Sequence, residues 1–474
     1  MSGCPYGMDL RMIEIESVAL FGHPADTNLG LASDAKSPYR YLQLKPKNPR
    51  PNHNKESSMK KTQNTRGYER YFAIDTHREY HLVGGQNEDQ EWVVNPRRVS
   101  IEKFAEWAQK NLQVGDIVVL ETTTNVWDTY DIVAPLVSRV LVANAAAVGE
   151  IAGARVKTDK EDIKRLLKLL VGGIVPEVWV PPAHVRELRG FISYRNRLVK
   201  ISTMIRNHLQ SLLHKHSLML PKEGILNQAW WDAQTSISVL EKMQIRQELG
   251  LLGEIKKLQA AVNEELEKQS IGEQWGKQAL QLMQLPGVGV IVAMTVLSAI
   301  GDITRFEDAR HLVGYSGLGA GVHDSGKTHR DKHITKKGRK ELRWIMVEAA
   351  WRAVRMSPYW KEQYERYLRQ MRKPNQAIVV IARKLLVAIW HVLSKEELDV
   401  HASEEDLAYK MLLLSWSLNE NVRMGLTYKQ FAKYALMKLG IENDITRFVR
   451  KDVPRRLAPR EEVLAQMEEL GITQ

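Results

Sequence analysis

A chain of 474 residues is too long for one ordinary hydrophobic core, so two or three folded units are expected. With 44% hydrophobic and 26% charged residues it has a globular composition, and no apolar run approaches the ~20 residues that cross a bilayer. The single cysteine, Cys4, excludes an internal disulfide or a cysteine-built zinc site, the N-terminus shows no secretory pattern, and a net charge of +12 points to a polyanionic partner, most often nucleic acid. A cytoplasmic protein with no membrane partner is expected.

Residues 36–66 hold nine Lys/Arg against the single acid Glu56 and are broken by four prolines, so 1–68 reads as a basic extension with no packed structure of its own. From residue 69 the pattern becomes α/β. YERYFAID (68–75) and HREYHLVGG (77–85) predict two strands with a tight reversal, and QEWVVN adds a third. A helix over 100–112 precedes DIVVLET (116–122), a wholly apolar run ending in an acid, as a buried parallel strand does. A helix near 126–137, a strand at 139–145 and a helix over 157–170 follow. Three meandering strands and then helix-linked strands is the ribonuclease-H-like order, assigned to 69–182.

Over 183–280, apolar residues recur at steps of three and four, from Leu198 to Leu212 and from Leu249 to Leu266. Two long amphipathic helices broken around Pro221 and Gly224 predict an antiparallel coiled-coil arm, with an ordinary helical bundle as the alternative. LPGVGVIVAMTVLSAIGDITRF (285–306) opens a mainly helical domain over 281–395. Its Gly287 and Gly289 suit a helix-hairpin-helix, whose backbone N–H groups contact phosphates; a glycine turn between core helices is the plain alternative. A helix over 338–354 should bury Leu342, Ile345, Ala349 and Ala353, with Trp344 and Trp351 read as core rather than base-stacking residues. Residues 396–474 are expected to be a charged helical extension with no assigned chemistry.

GVHDSGKTHR (321–330) satisfies the phosphate-loop pattern G-x-x-x-x-G-K-[ST]. That loop needs a buried strand before it and a helix starting at its lysine. LVGYSGLGA precedes it and the charge-dense HRDKHITKKGRK follows, so no nucleotide cofactor is expected. Ser325 inside the motif remains, beside Lys327, which could hold a phosphate. Residues 321–345 carry eight Lys/Arg against three Asp/Glu. Among these, Lys327, Arg330, Lys332, Lys336, Lys337, Arg339, Lys340 and Arg343 are the candidate nucleic-acid contacts. Two-metal phosphoryl transfer needs several carboxylates converging on ions ~3.5–4 Å apart, and hard Mg²⁺ favours oxygen ligands. Asp75 ends the first strand, Glu121 ends the buried parallel strand, and Asp159 and Asp162 share one helix face. Each alone reads as a cap or strand-end acid; together they form a candidate metal site.

In this order, Asp75, Glu121 and the TDKED stretch with Asp159 and Asp162 resemble the acidic tetrad of the DEDD transposases of bacterial insertion sequences. GYSGLGAGVHDSGKT and HITKKGRKELRWIMVEAA resemble that family's C-terminal domain, the likeness running from about residue 69 to 395. The resemblance implies a RuvC-like N-terminal domain, with Mg²⁺, as two ions, bound to the tetrad. It makes Ser325 the nucleophile, Ser316 being its neighbouring competitor, and joins serine and acids in one composite site. It further implies a 5′-phosphoserine intermediate, double-stranded donor and target DNA, a guiding bridge RNA, and a dimer or tetramer. The competing readings are a RuvC-like nuclease that uses water and a non-enzymatic nucleic-acid scaffold.

Overall fold

The structure, a computed structural model, describes residues 65, 67–151, 159–219, 224–325, 328–441, 445–450 and 452–472. The basic N-terminal extension lies outside them, as do Gly326 and Lys327; side chains are not described at 159, 322–325 and 328–332. The chain divides into two compact units, the first ending at Val180 and the second beginning at Pro181.

The N-terminal unit is built on a five-stranded mixed sheet. Its strands β1 (Arg70–Thr76), β2 (Tyr80–Asn87), β3 (Trp92–Ser100), β4 (Ile117–Glu121) and β5 (Arg139–Ala143) lie in the order β3-β2-β1-β4-β5. The first three form an antiparallel meander, and β4 lies parallel to both β1 and β5. A three-stranded meander followed by helix-linked parallel strands is the succession of elements expected from the sequence. The third strand runs further than its apolar stretch, to Ser100, because an edge position tolerates Pro96, whose missing N–H would interrupt an inner strand.

Side chains alternate faces along a strand, and the two faces bury different residues. Tyr71 and Ala73 of β1 with Ile117 and Val119 of β4 pack under α4 (Asp159–Val171), through Ile163, Leu166, Leu167 and Leu170. Phe72, Ile74, Val118 and Leu120 pack on the opposite face with Phe104 and Trp107 of α1 (Ile101–Asn111) and Val126 and Val133 of α2 (Val126–Val133). A short α3 (Ala145–Ile151) follows β5.

In the C-terminal unit, α5 (Ala183–Lys215) and α7 (Val239–Gln269) form an antiparallel pair, with α6 (Gln228–Ala233) between them. Arg195 bonds Asn263 (2.9 Å), His208 bonds Glu248 (2.8 Å) and Lys215 bonds Glu241 (2.7 Å), so position falls on one helix as it rises on the other. The second helix starts at Val239, later than the break at Gly224, because Ser238 and Glu241 close a capping box there. The pair's base packs on α9 (Val290–Ile300), where Arg189 donates to the carbonyls of Ser298 and Ala299 at 2.7 and 3.0 Å.

Around α9 lie α8 (Gly276–Met283), α10 (Ala309–Ser316), α11 (Lys340–Met356), α12 (Pro358–Met371) and α13 (Pro374–Lys395), with a hairpin of β6 (Ala320–Ser325) and β7 (Thr328–Ile334) between α10 and α11. Leu342, Ile345, Ala349 and Ala353 are buried as expected, but Trp344 is 42% exposed. Two residues beyond Leu342 it is turned about 200° from the buried side, so the core expectation for this tryptophan fails. Trp351 is half-buried against Tyr364, ring centroids 5.4 Å apart. Contrary to the hydropathy expectation, α13 is long and apolar enough to cross a bilayer. Ile378, Ile381, Leu385, Ile389 and Val392 are nevertheless buried in the helical core, as in the central helix of a folded unit. The C-terminal extension holds α14 (Glu404–Ser417), α15 (Tyr428–Lys438) and α16 (Arg460–Glu469), and also a hairpin of β8 (Arg447–Arg450) and β9 (Val453–Arg456). Strands of four residues filled with arginine carry no strand signal, which is why a purely helical extension was expected.

Candidate active site and nucleic-acid interface

Ile74 pairs with Leu120 across the parallel ladder, so Asp75 and Glu121 follow side by side at the carboxyl ends of β1 and β4. Alternation sends both to the face covered by α4, the helix that bears Asp159 and Asp162. Three of the four acids are thus brought to one sheet face and its covering helix, while for Asp159 only the backbone position, at the first residue of α4, is described.

Asp75 is 9% exposed, and its Oδ2 lies 3.1 Å from His77 Nε2. Asp162, equally buried, has Oδ1 3.1 Å from Arg165 Nη1, yet that oxygen makes no hydrogen bond within the protein. Among the described residues no three His, Cys, Asp or Glu side chains stand close enough together to hold an ion. On the opposite face of the sheet, His81 of β2 is buried against Phe104, ring centroids 4.1 Å apart. Burial, and secondarily His77, lowers its pKa to about 4.

The phosphate-loop motif is a β-hairpin. Ser325 ends β6 and pairs with Thr328 at the start of β7, so neither the preceding buried strand nor the following helix of a nucleotide-binding loop is present at this motif. Arg330 and Lys332 lie on β7. At the base of the hairpin, Thr335 N–H donates to Gly319 O (2.9 Å), Lys336 N–H to Gly317 O (3.2 Å) and Arg339 N–H to Tyr315 O (2.9 Å). Lys336, Lys337 and Lys340 are exposed beside it. Arg343 is half-committed to the fold, its Nη1 donating to Ser316 O at 3.0 Å. Ser316 is fully buried: its hydroxyl donates to Val313 O (2.7 Å) and accepts from Leu318 N–H (3.2 Å). A hydroxyl so enclosed is a turn-closing group and cannot reach a substrate.

Gly287 has a φ of +80°, and a Cβ there would lie 2.3 Å from Ala349 O and 2.6 Å from Ala353 N. The LPGVG turn therefore presses its backbone onto α11, a contact only glycine permits. Gly289, at the N-cap of α9, has open space around it. A residue missed in the sequence holds this turn from the far side. Lys410 of α14 donates to the carbonyls of Met283, Leu285 and Val288 at 2.6, 2.6 and 3.0 Å. Burial pushes its ammonium down to about 7, opposed by Asp406. No local motif marks a lysine that acts across so long a stretch of chain.

Against this geometry, the sequence model of the transposase IS116/IS110/IS902 family matches residues 279–365, the stretch from α8 to α12 that includes the serine hairpin. The chain is similar to the transposase-named protein y4qE of Sinorhizobium fredii, 28% identical over 42% of this chain and 48% of that one. It is also similar to the transposase of insertion sequence element IS1111A of Coxiella burnetii, 24% identical over 51% of this chain and 68% of that one. A pilin gene-inverting protein of Moraxella bovis is 32% identical over 24% of this chain and 35% of its own. The aligned part thus spans about half the length of the first of these relatives. Over the matched segments the chain is similar to transposases, and among them to those of the IS110 type.

Proposed function

We propose that the chain is a DNA transposase that cuts and rejoins DNA through a covalent serine link, its N-terminal unit serving as a RuvC-like acidic centre. The observation that carries this is the parallel β1–β4 register, with Asp75 and Glu121 side by side under α4. Carboxylates on neighbouring strand ends and a covering helix are what phosphoryl transfer on a polyanion requires. The donor set suits Mg²⁺ in kind, being all oxygen with the buried Asp162 Oδ1 lacking a hydrogen bond, but the described carboxylates do not converge on one point in this structure, so ion binding would have to draw them together. Asp75, Glu121, Asp159 and Asp162 would hold the ions, which supply charge stabilisation at the phosphoryl oxygens.

Ser325, at the tip of the hairpin in the family-matched segment, is the nucleophile in this reading. Its Oγ–P bond forms as the P–O3′ bond breaks, leaving a 5′-phosphoserine and a 3′-oxygen that takes up a proton. The burial of Ser316 favours Ser325 over this neighbouring competitor. Lys336, Lys337 and Lys340 suit backbone contacts, which carry no base information. Sequence choice would then fall to a guide RNA paired with donor and target DNA, and joining two DNAs calls for a dimer or tetramer.

The test is a denaturant-resistant protein–DNA adduct. Wild-type protein with Mg²⁺, RNA transcribed from the element and duplex DNA carrying the element's ends should form it, whereas Ser325→Ala, Asp75→Asn or added chelator should abolish it without unfolding the chain. Cut DNA with no adduct in the wild type would leave a nuclease that uses water. Intact activity in Asp75→Asn would remove the acidic centre.

A further inference from the structure

We propose that the C-terminal extension carries a second nucleic-acid surface, one for a single strand, built from Trp416, Tyr428 and the arginines of the β8–β9 hairpin. This goes beyond the strand-transfer reading and does not depend on it. Trp416 and Tyr428 are 40% and 38% exposed, with ring centroids 6.0 Å apart. Each ring has a cation beside it: Arg455 Cζ lies 5.5 Å from the Trp416 centroid and Lys429 Nζ 5.8 Å from that of Tyr428. Two exposed rings flanked by cations are the elements on which successive bases stack while the backbone is followed by positive charge.

The hairpin supplies an independent observation. Arg447 and Arg456 face each other directly across the antiparallel ladder, and both are exposed, on the hairpin face opposite to Arg455, so a strand that meets the rings reaches them around the hairpin's edge. Directly opposed side chains share a face with Cβ atoms about 4.5–5.5 Å apart, and like charges there destabilise the ladder. Of the nearby acids, Asp406 is engaged by Arg450 at 2.7 Å, and Glu462 accepts a hydrogen bond from Gln430. Over 445–460 the sequence has six Lys/Arg and one Asp, with Glu442, Asp444, Glu461 and Glu462 at its flanks, so the positive charge is gathered on the hairpin itself. Stability alone would select against two opposed arginines on a four-residue strand pair; a phosphate backbone lying across them removes the repulsion.

A single strand is favoured over a duplex because base faces are needed. In a duplex they are stacked inside, and exposed tryptophan and tyrosine rings would have nothing to meet. The bland alternative is that the rings merely cap the ends of α14 and α15 and the arginines are solvated. It predicts no preference between strand forms.

The experiment uses the full chain and oligonucleotides of about 12 nucleotides, within the span such surfaces cover, with 5-bromouracil as the cross-linking base. Single-stranded RNA, single-stranded DNA and the matching duplex are irradiated with the protein, and the cross-linked peptides are mapped. Mapping is needed because other basic segments also bind nucleic acid. Cross-links at Trp416 or Tyr428 with either single strand, but not the duplex, are expected, and the stronger of the two names the natural ligand. Trp416→Ala should lose its cross-link and weaken single-strand binding about tenfold, in the range of one lost base stack. Arg447→Ala with Arg456→Ala should lower the salt slope of log affinity by about 1.4, the value for two phosphates of a single strand, without lowering the unfolding temperature. Cross-links only at other segments, equal labelling by duplex, or an unchanged slope would each overturn the proposal. The map on the unaltered chain decides the matter even if Trp416→Ala fails to fold. Ser325→Ala should cross-link as wild type does, which separates this surface from the strand-transfer reading.

Discussion

Lys410 and Leu285 are joined by a 2.6 Å hydrogen bond from a buried ammonium to a turn carbonyl, across the whole helical unit. With the parallel bonds to Met283 and Val288, one side chain of the C-terminal extension satisfies three carbonyls of the turn that opens the family-matched segment. Unpaired buried carbonyls cost about 1–3 kcal/mol each. Lys410→Met keeps most of the volume and removes all three donors. It should lower stability by about 3 kcal/mol or more in urea titration, and amide exchange should speed up first at 283–288. A loss below ~1 kcal/mol would mean that water replaces the ammonium there.

The two glycines of the same turn should separate cleanly. Gly287→Ala places a methyl group 2.3 Å from Ala349 O at a φ of +80°, and nothing rigid can give way. Strain plus displacement of α11 should cost roughly 2–4 kcal/mol. Gly289→Ala meets open space at a φ of −111°, so its stability should stay within about 0.5 kcal/mol of wild type. If Gly289→Ala still weakens DNA binding, the N–H groups at the start of α9 are contacting phosphate.

Ser316→Ala tests the hairpin base. The hydroxyl bridges Val313 O and Leu318 N–H inside the core, so its loss should cost about 1–2 kcal/mol, read as a lower urea midpoint. Adduct formation per folded molecule should be unchanged. An adduct lost in this variant and kept in Ser325→Ala would reverse the roles of the two serines.

What the sequence made legible was governed by local pattern. Strand-like runs with a tight reversal and an apolar run ending in Glu121 were enough for the mixed sheet, and the three-residue spacing of Asp159 and Asp162 for the shared helix. The failures have one cause, that burial is decided by neighbours distant in sequence. Trp344 has the composition of a core residue and the angle of a surface one. Lys410 reads as an ordinary exposed lysine of an amphipathic helix and is instead a buried clamp. The serine hairpin lacked a signal because charge and glycine dominate both strands, leaving cross-strand pairing to do what side-chain hydrophobicity does elsewhere.

His81 provides the pH prediction. Its folded pKa is held down to about 4, first by burial against Phe104 and then by His77, while an unfolded histidine titrates near 6.5. The folded chain therefore keeps this ring neutral where the unfolded chain takes up a proton. A depressed folded value means full stability above pH 6.5, progressive loss as pH falls from there toward 4, and no further loss from this group below that. At pH 5 the linkage amounts to about 2 kcal/mol, since nearly all unfolded chains and few folded ones are protonated at this site. Urea midpoints for the N-terminal unit should accordingly fall between pH 7 and pH 5. His81→Phe fills the same slot beside Phe104 without a titrating nitrogen, and it leaves no buried Nδ1 lacking a hydrogen-bond partner. It should flatten that part of the profile by the same ~2 kcal/mol while leaving the pH 7 value close to wild type. An unchanged acid slope in His81→Phe would mean that His81 does not carry the loss.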